Sequence, residues 1–377
     1  MSYPKSDEER EFRDVLRRFL ASAAPAAEVR RLVGSEAGFD EGVWKQMREE
    51  LGLPGLAVPE AQGGQGFGLV ELGLALAELG RVLACAPFFG TAVLAGRAAA
   101  HAAQGAARDE LLAAVAGGEV LALAWVEPGQ SWDPADLAMQ ARRSGSDWLL
   151  DGCKSFVVDG HTAHRILVAA REPGTRGQDG IGLFAVEADA PGLARRRLDS
   201  LDRTRALARL ELSGVRARRI GEPDAVGPGL ARALDEATVL LSAEMMGGLE
   251  RVLETASEHA RTRIQFGRPI GSFQAVKHKC ADVLIALEAG RSAVREALEA
   301  ADARDPELAT LASTAKAWAG EAFVRGAEEN VQIHGGVGFT WECDAHLFLR
   351  RALSSRELLG DTAHHHERIA RSLEPGA

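Results

Sequence analysis

Along much of this chain, apolar residues recur at three- and four-residue steps, most clearly over one long stretch. Leu230, Leu234, Leu241, Met245, Leu249, Val252 and Ala256 share a face with Thr238, and no proline falls between Pro228 and Pro269. The spacing predicts one helix of roughly 35 residues, about 50 Å long. Globular helices are usually much shorter, so this one is expected to span a bundle or a subunit contact. Near the start, Ser6 before Asp7, Glu8 and Glu9 has the form of an N-cap with acids in the first turn. Phe12, Val15, Leu16 and Phe19 then make one apolar face. Further helices are expected over 42–51, 69–85 (stopped by Pro87) and an alanine-rich segment, 91–116. The stretch 51–66 is rich in Gly and Pro and reads as a connector.

The texture then changes to short apolar runs at 120–125, 148–150, 155–158, 165–169 and 182–186, most of them bounded by Gly, Asp or Pro. An alternating run follows at 207–212. From Gly229 the helical pattern returns to the end. The expectation is an α+β chain in three parts. These are an N-terminal helical domain over 1–118, a middle β-barrel-like domain over 119–222 and a C-terminal helical bundle over 223–377.

Composition sharpens this only in places. At 377 residues the chain exceeds what one core supports, so subdomains are expected. Aromatic residues make up only 5% while Leu and Ala abound, which favours helix. A net charge of -10 argues against nucleic acid or anionic membrane as a non-specific partner, yet leaves room for a local basic pocket. Cys85, Cys153, Cys280 and Cys343 form no C-x-x-C pair, which fits a reducing, cytoplasmic setting without a zinc site. Neither a signal peptide nor a membrane-length apolar run is visible.

Two motifs carry candidate chemistry. Residues 261–278 read RTRIQFGRPIGSFQAVKH, in which Arg263 offers a planar fork for phosphate, Gln265 an amide and Phe266 a flat apolar face. Some fifty residues on comes Gln332-Ile333-His334-Gly335-Gly336-Val337-Gly338-Phe339, whose glycines allow close backbone approach. Each alone also reads as an ordinary helix end with a turn. Together, R-x-Q-F-G-R-P-I-G-x-F-Q and Q-I-H-G-G-x-G-F resemble the flavin-binding half of the acyl-CoA dehydrogenase family. The segment L-G-L-x-G-L-x-V-P-E-x-x-G-G-x-G at 51–66 is similar to what that family carries beside the acyl chain.

The resemblance implies FAD as cofactor, held by Arg263, Gln265, Phe266 and Gln274 from one side. Gln332, Gly335 and Gly336 are expected to reach the adenine side from a neighbouring subunit, so at least a dimer is implied. It implies an oxidoreductase of lipid metabolism acting on the CH–CH group of an acyl-CoA. The α proton goes to a carboxylate, a hydride leaves the β carbon, and electrons pass to an electron-transfer flavoprotein. The family motif T-E-P-x-A-G-S-D is replaced by Val126-Glu127-Pro128-Gly129-Gln130-Ser131-Trp132-Asp133. In Lys154-Ser155-Phe156-Val157-Val158, Phe156 matches the family's flavin-side aromatic, and Val158 stands where relatives carry a hydroxyl near flavin N5.

The family's base is a Glu in Y-E-G-T, but here Gly360 falls at that Glu and Asp361 lies one position late. A second branch draws its base from the long helix, where this chain has Ala237. Asp361 ranks first as candidate base and Glu244 second. Glu236, one step off in register, is expected on an outer helix surface. Two readings stay open: a homo-oligomeric dehydrogenase, or a non-catalytic, FAD-contributing subunit of a heteromeric one. A different flavin reaction on a CoA ester is a third. Arg203 or Arg205 reads either as a phosphate contact or as part of a turn. Trp341 and Glu342, with Asp344 and His346, read as positioning the segment before the base or as surface. His364, His365 and His366 are expected at a solvated helix end, since consecutive helical residues diverge and cannot share a metal.

Overall fold

The computed structural model describes residues 5–374 apart from positions 130 and 146. Chain contacts divide it into two units. One holds the chain up to Arg31, Leu69–Ala84 and everything from Thr238; the other holds Leu32–Gly68 and Cys85–Ala237. Residues of the first expected helical block fall in both units.

In the first unit, α1 (Asp7–Ala23) is capped by Ser6, whose hydroxyl accepts the Glu9 N–H at 3.1 Å. Helix α2 (Ala26–Val33) follows, crossing the division. Helix α4 (Leu69–Arg81), which comes after α3 (Glu41–Glu49) in the chain, is buried almost all round. Its first N–H groups are met by Asp302, which accepts from Leu69 at 2.7 Å and Val70 at 3.2 Å. Glu78 is the polar exception, 1% exposed and bound by Arg13 at 2.5 Å and Arg17 at 2.9 Å. The helix stops well before the expected 85, because Leu83 turns left-handed (φ 52°) and the Ala84 N–H closes onto the Leu79 carbonyl at 3.0 Å.

The second unit contains α3, then a π-helical segment at Phe89–Ala95, α5 (Gly96–Ala102) and α6 (Gly105–Ala116). The expected single helix over 91–116 is thus broken. Ala103 is extended, and the Gln104 N–H leaves the helix to bind the Ile220 carbonyl at 3.0 Å. A long-range bond wins over alanine's helical preference there.

Seven strands make the sheet: β1 (Leu121–Ala124), β2 (Ala141–Ser144), β3 (Asp147–Val158), β4 (Arg165–Arg171), β5 (Ile181–Glu187), β6 (Leu193–Arg197) and β7 (Leu207–Arg219). Their order is β1-β4-β5-β7-β3-β2 with β6 also on β7; β1 is parallel to β4 and the other pairings are antiparallel. The two runs at 148–150 and 155–158 are one strand, β3, with register shifts between Leu150 and Gly152 and between Lys154 and Val157. Strands β2 and β6 were invisible to hydrophobic pattern, because ARRS and LARRR are rich in arginine and largely exposed or half-buried.

The long helix is α7 (Pro223–Thr262), 40 residues. It starts earlier than expected and takes Pro228 inside its second turn, where the missing N–H leaves one carbonyl without its helical partner. The unit division falls within it, after Ala237. The hairpin strands β8 (Ile264–Gln265) and β9 (Arg268–Pro269) follow, then α8 (Gln274–Asp302), α9 (Leu308–His334), α10 (Ala345–Glu357) and α11 (Thr362–Ser372). Helix α4 packs closely on α7: a Cβ at Gly247 would meet the Ala77 backbone, and one at Gly80 the Glu244 backbone. Among the described residues no helix is long and apolar enough to cross a membrane, and none of the four cysteines is in a disulfide.

Candidate active site

The first motif sits where α7 ends. Its hairpin pairs Ile264 with Pro269 and Gln265 with Arg268, turning through Phe266 (φ 53°) and Gly267 (φ 75°). Two consecutive positive φ values are the signature of a tight hairpin turn. The Arg268 guanidinium lies 4.2 Å over the Phe273 ring, and Phe266 meets that ring edge-on at 6.0 Å. Phe266 is nevertheless 90% exposed. Arg261, Arg263, Gln265 and Gln274 are exposed as well. Neither Arg261 nor Arg263 makes an ion pair among the described residues.

The second motif sits where α9 ends. Gly335 adopts φ 65°, ψ -144°, and its N–H reaches the Gln332 and Val331 carbonyls. A side chain at Gly335 or Gly336 would meet nothing, so the backbone there is open to a ligand. Gln332 is exposed beside it. The His259 and His334 rings stack at 4.2 Å, and Ala256, Ala260 and Ile333 form a small cluster backed by Ile270 and Val276. Burial, with the charges of His334 and Arg263 nearby, holds His259 below the usual imidazole range. A cavity of about 520 Å³ opens between Arg261, Thr262, His259 and His334. The stacked histidines and this cluster set the two motifs side by side at the ends of α7 and α9. An unpaired guanidinium, an exposed amide, a bare ring and open glycine backbone are the donor set that a dinucleotide flavin requires.

On the β-sheet, Val158 is 1% exposed and has no donor to offer, whereas Phe156 is 44% exposed in a left-handed conformation (φ 56°). The register shift after Lys154 puts Phe156 there. Sequence reading missed what anchors it. Lys154 is fully buried and donates to the Trp125 carbonyl at 3.1 Å and Glu127 Oε1 at 2.7 Å. Burial lowers its ammonium to about 8, with Glu127 pulling the other way. Only the adjacency of Lys154 to the Phe156 segment and the surviving Glu127-Pro128 hinted at this latch.

The candidate bases are arranged differently from one another. Asp361 is exposed and is the N-cap of α11, accepting the His364 N–H at 2.8 Å. The turn before it is pinned by Lys316, a buried lysine that donates to the Arg356 and Gly360 carbonyls at 2.8 Å each. Burial brings Lys316 down to about 7, opposed by Glu357 and Asp361. Gly360 has φ 104°, and a Cβ there would strike the His364 ring. Glu244 is buried and bonded to Arg351 Nη1 at 2.8 Å.

Glu236 is not the outer surface acid expected. It is 1% exposed and held by Arg97 at 2.6 Å, Arg232 at 2.9 Å and His101 at 2.9 Å. Burial alone would raise its pKa, but the His101 hydrogen bond and the charges of Arg97 and His101 lower it to about 2. Ala237 beside it is buried and inert.

His365 also departs from expectation. It is fully buried, and burial with the Lys316 charge depresses it to about 2. No group of metal-ligating side chains occurs among the described residues. Arg205 is buried with its guanidinium 4.6 Å over the Phe89 ring, while Arg203 is exposed and gives its carbonyl to Arg197. Trp341 is 60% exposed and packs edge-on to His346 at 4.8 Å, and Asp344 pairs with Arg30 at 2.5 Å.

Known proteins match this chain over most of its length. The acyl-CoA dehydrogenase N-terminal, middle and C-terminal domains match residues 6–119, 122–215 and 230–374 in turn. The chain is similar to acyl-CoA dehydrogenase IpdE2 of Mycobacterium tuberculosis, 35% identical over 93% of each protein. Among solved structures it is similar to a chain of the ChsE4-ChsE5 complex from Mycobacterium tuberculosis, with TM-score 0.88 and 30% identity over 100% of both chains. It is also similar to the Tcur3481-Tcur3483 steroid ACAD variant, with TM-score 0.87 and 33% identity over 97% of both.

Proposed function

The chain belongs to the acyl-CoA dehydrogenase family and is an oxidoreductase of the CH–CH bond of an acyl-CoA; from that premise we propose that it binds FAD and serves the α,β-dehydrogenation of a CoA thioester to its 2,3-enoyl form, with electrons leaving to an electron-transfer flavoprotein. One observation supports this most. Exposed, unpaired Arg263 and the open Gly335-Gly336 backbone lie at helix ends joined by the His259–His334 stack. When bound, the flavin supplies the acceptor for the hydride that leaves the β carbon.

This chain's own residues supply position and charge. Arg263 neutralises phosphate, with Gln265 and Gln274 as neighbouring amides. Phe266 offers a ring to stack on, and Gln332, Gly335 and Gly336 offer amide and backbone contacts. On the sheet, Phe156 offers an exposed ring, and the buried Val158 offers no hydroxyl.

Removal of the α proton needs a carboxylate within hydrogen-bond reach. Asp361 is the candidate here, with one oxygen spent on the α11 cap and its turn held by Lys316. Glu244 is committed to Arg351, and Ala237 cannot act. These positions favour a second reading, in which the chain contributes FAD contacts to a heteromeric dehydrogenase and a related chain carries the base. The two-chain names of both solved relatives support it.

Purification of the chain alone, and with a co-expressed relative, tests both readings through the visible spectrum. A yellow protein bleached anaerobically by an acyl-CoA, with turnover abolished in Asp361→Asn, is the outcome expected of a self-sufficient enzyme. Flavin retained only with the relative, and turnover indifferent to Asp361→Asn, is the outcome expected of the partner subunit. Failure to hold flavin in either form defeats both.

A further inference from the structure

Trp132 stands where the family motif T-E-P-x-A-G-S-D carries its serine. Its ring centroid lies 5.8 Å from that of Trp125 and 6.1 Å from that of Phe156, so the three rings form a row. The row runs outward: Trp125 is 2% exposed, Trp132 half-buried and Phe156 44% exposed.

Several bonds fasten it. The Trp125 indole N–H donates to the Trp132 carbonyl at 3.1 Å. Lys154 holds the Trp125 carbonyl and Glu127 together. Glu127 in turn accepts the Ala138 and Met139 N–H groups at 3.0 Å each, which closes the loop carrying Trp132. The Trp132 indole N–H makes no hydrogen bond among the described residues. Phe156 keeps a left-handed backbone that costs a bulky residue on the order of 1 kcal/mol or more, so its half-exposed ring is imposed by its surroundings.

We propose that Trp132 and Phe156 form an aromatic shelf for the flavin ring, with the free indole N–H as the donor that this face otherwise lacks at Val158. The inference rests on the FAD reading above and adds to it a contact that the family motif does not contain. Indole has a hydrogen-bond donor and a π face, so it meets both needs of a flat, polar-edged ring. Indole also donates an electron readily to a photoexcited flavin and takes it back in the dark with no net change, whereas a phenyl ring does not. Flavin bound here is therefore quenched by Trp132 and not by Phe156.

The test uses the FAD-loaded protein, alone or with its co-expressed relative. Occupancy is fixed by visible absorbance, and flavin fluorescence is read per bound flavin. Trp132→Phe is expected to raise the yield at least twofold, and Trp125→Phe, one ring deeper, to change it less. Adding Phe156→Trp to Trp132→Phe is expected to restore quenching. Unchanged fluorescence in Trp132→Phe at equal occupancy overturns the shelf while leaving FAD binding intact. A wild-type protein that holds no FAD in either form removes the premise and the shelf together.

Discussion

Helix α7 treats its charges in two opposite ways. In its buried stretch, Glu236 is surrounded by Arg97, His101 and Arg232, and Glu244 is bonded to Arg351. At its C-terminal end, Arg261 and Arg263 stand exposed with no ion pair among the described residues. The physics behind the contrast is desolvation. A charge taken out of water must find its partner during folding, because leaving it alone costs several kcal/mol. A charge at the surface loses little by waiting. Charges that complete the fold are therefore spent, and those left over are available to a ligand. Acids on this helix invite a catalytic reading, yet Glu236 and Glu244 both hold helices together.

The sharpest way to break this contrast is to remove one partner of a buried pair. Arg351→Ala removes a buried charge partner of Glu244, and a loss of about 3–5 kcal/mol is expected in denaturant unfolding. A loss below about 1 kcal/mol, the size of an exposed pair, would show that the pair is not structural, which returns Glu244 to the candidate bases.

The next effect is read in acid. Glu236 has its pKa lowered to about 2 from 4.5, so the unfolded chain takes up the proton first as pH falls. The stability it contributes is complete above about pH 4.5 and is lost towards pH 2, amounting to roughly 3 kcal/mol. Glu236→Gln should be less stable at neutral pH and should flatten the unfolding profile over that window. An unaltered slope would mean the cluster does not hold the carboxylate ionised.

At the other end of the helix the expectation reverses. Arg263→Ala should leave unfolding within about 0.5 kcal/mol of wild type while weakening FAD binding by about 1.5–3 kcal/mol, some ten- to hundredfold. Phe266→Ser should do the same more mildly, with a loss of about 0.5–1.5 kcal/mol in binding from the missing stack. Isothermal titration with FAD beside a denaturant series separates the two quantities. A large stability loss in either variant would mean that this end, too, is part of the fold.

Much of the fold is legible in the chain. The 3.6-residue period announced the long helix, the block of short apolar runs announced the sheet, and the paired glycine and arginine motifs announced the family. What escaped did so for local reasons. Strands β2 and β6 carry arginines where alternation was sought. The alanine-rich segment broke because Gln104 bonds Ile220, far along the chain. Of the candidate site, Arg263 and Gly335-Gly336 were singled out by the family resemblance of their motifs, while Lys154, Lys316 and Trp132 were not, since a buried lysine or a wedged indole has no periodic signature.

The sequence by itself determined which segments coil, which extend and which motifs recur at family spacing, because those follow from short-range periodicity and turn chemistry. Only the tertiary structure decided that Glu236 and Glu244 are spent, that Asp361 caps a helix, and that the ends of α7 and α9 meet through stacked histidines. The reason is that a side chain's charge state and partners depend on groups far off in the chain, which no local pattern records.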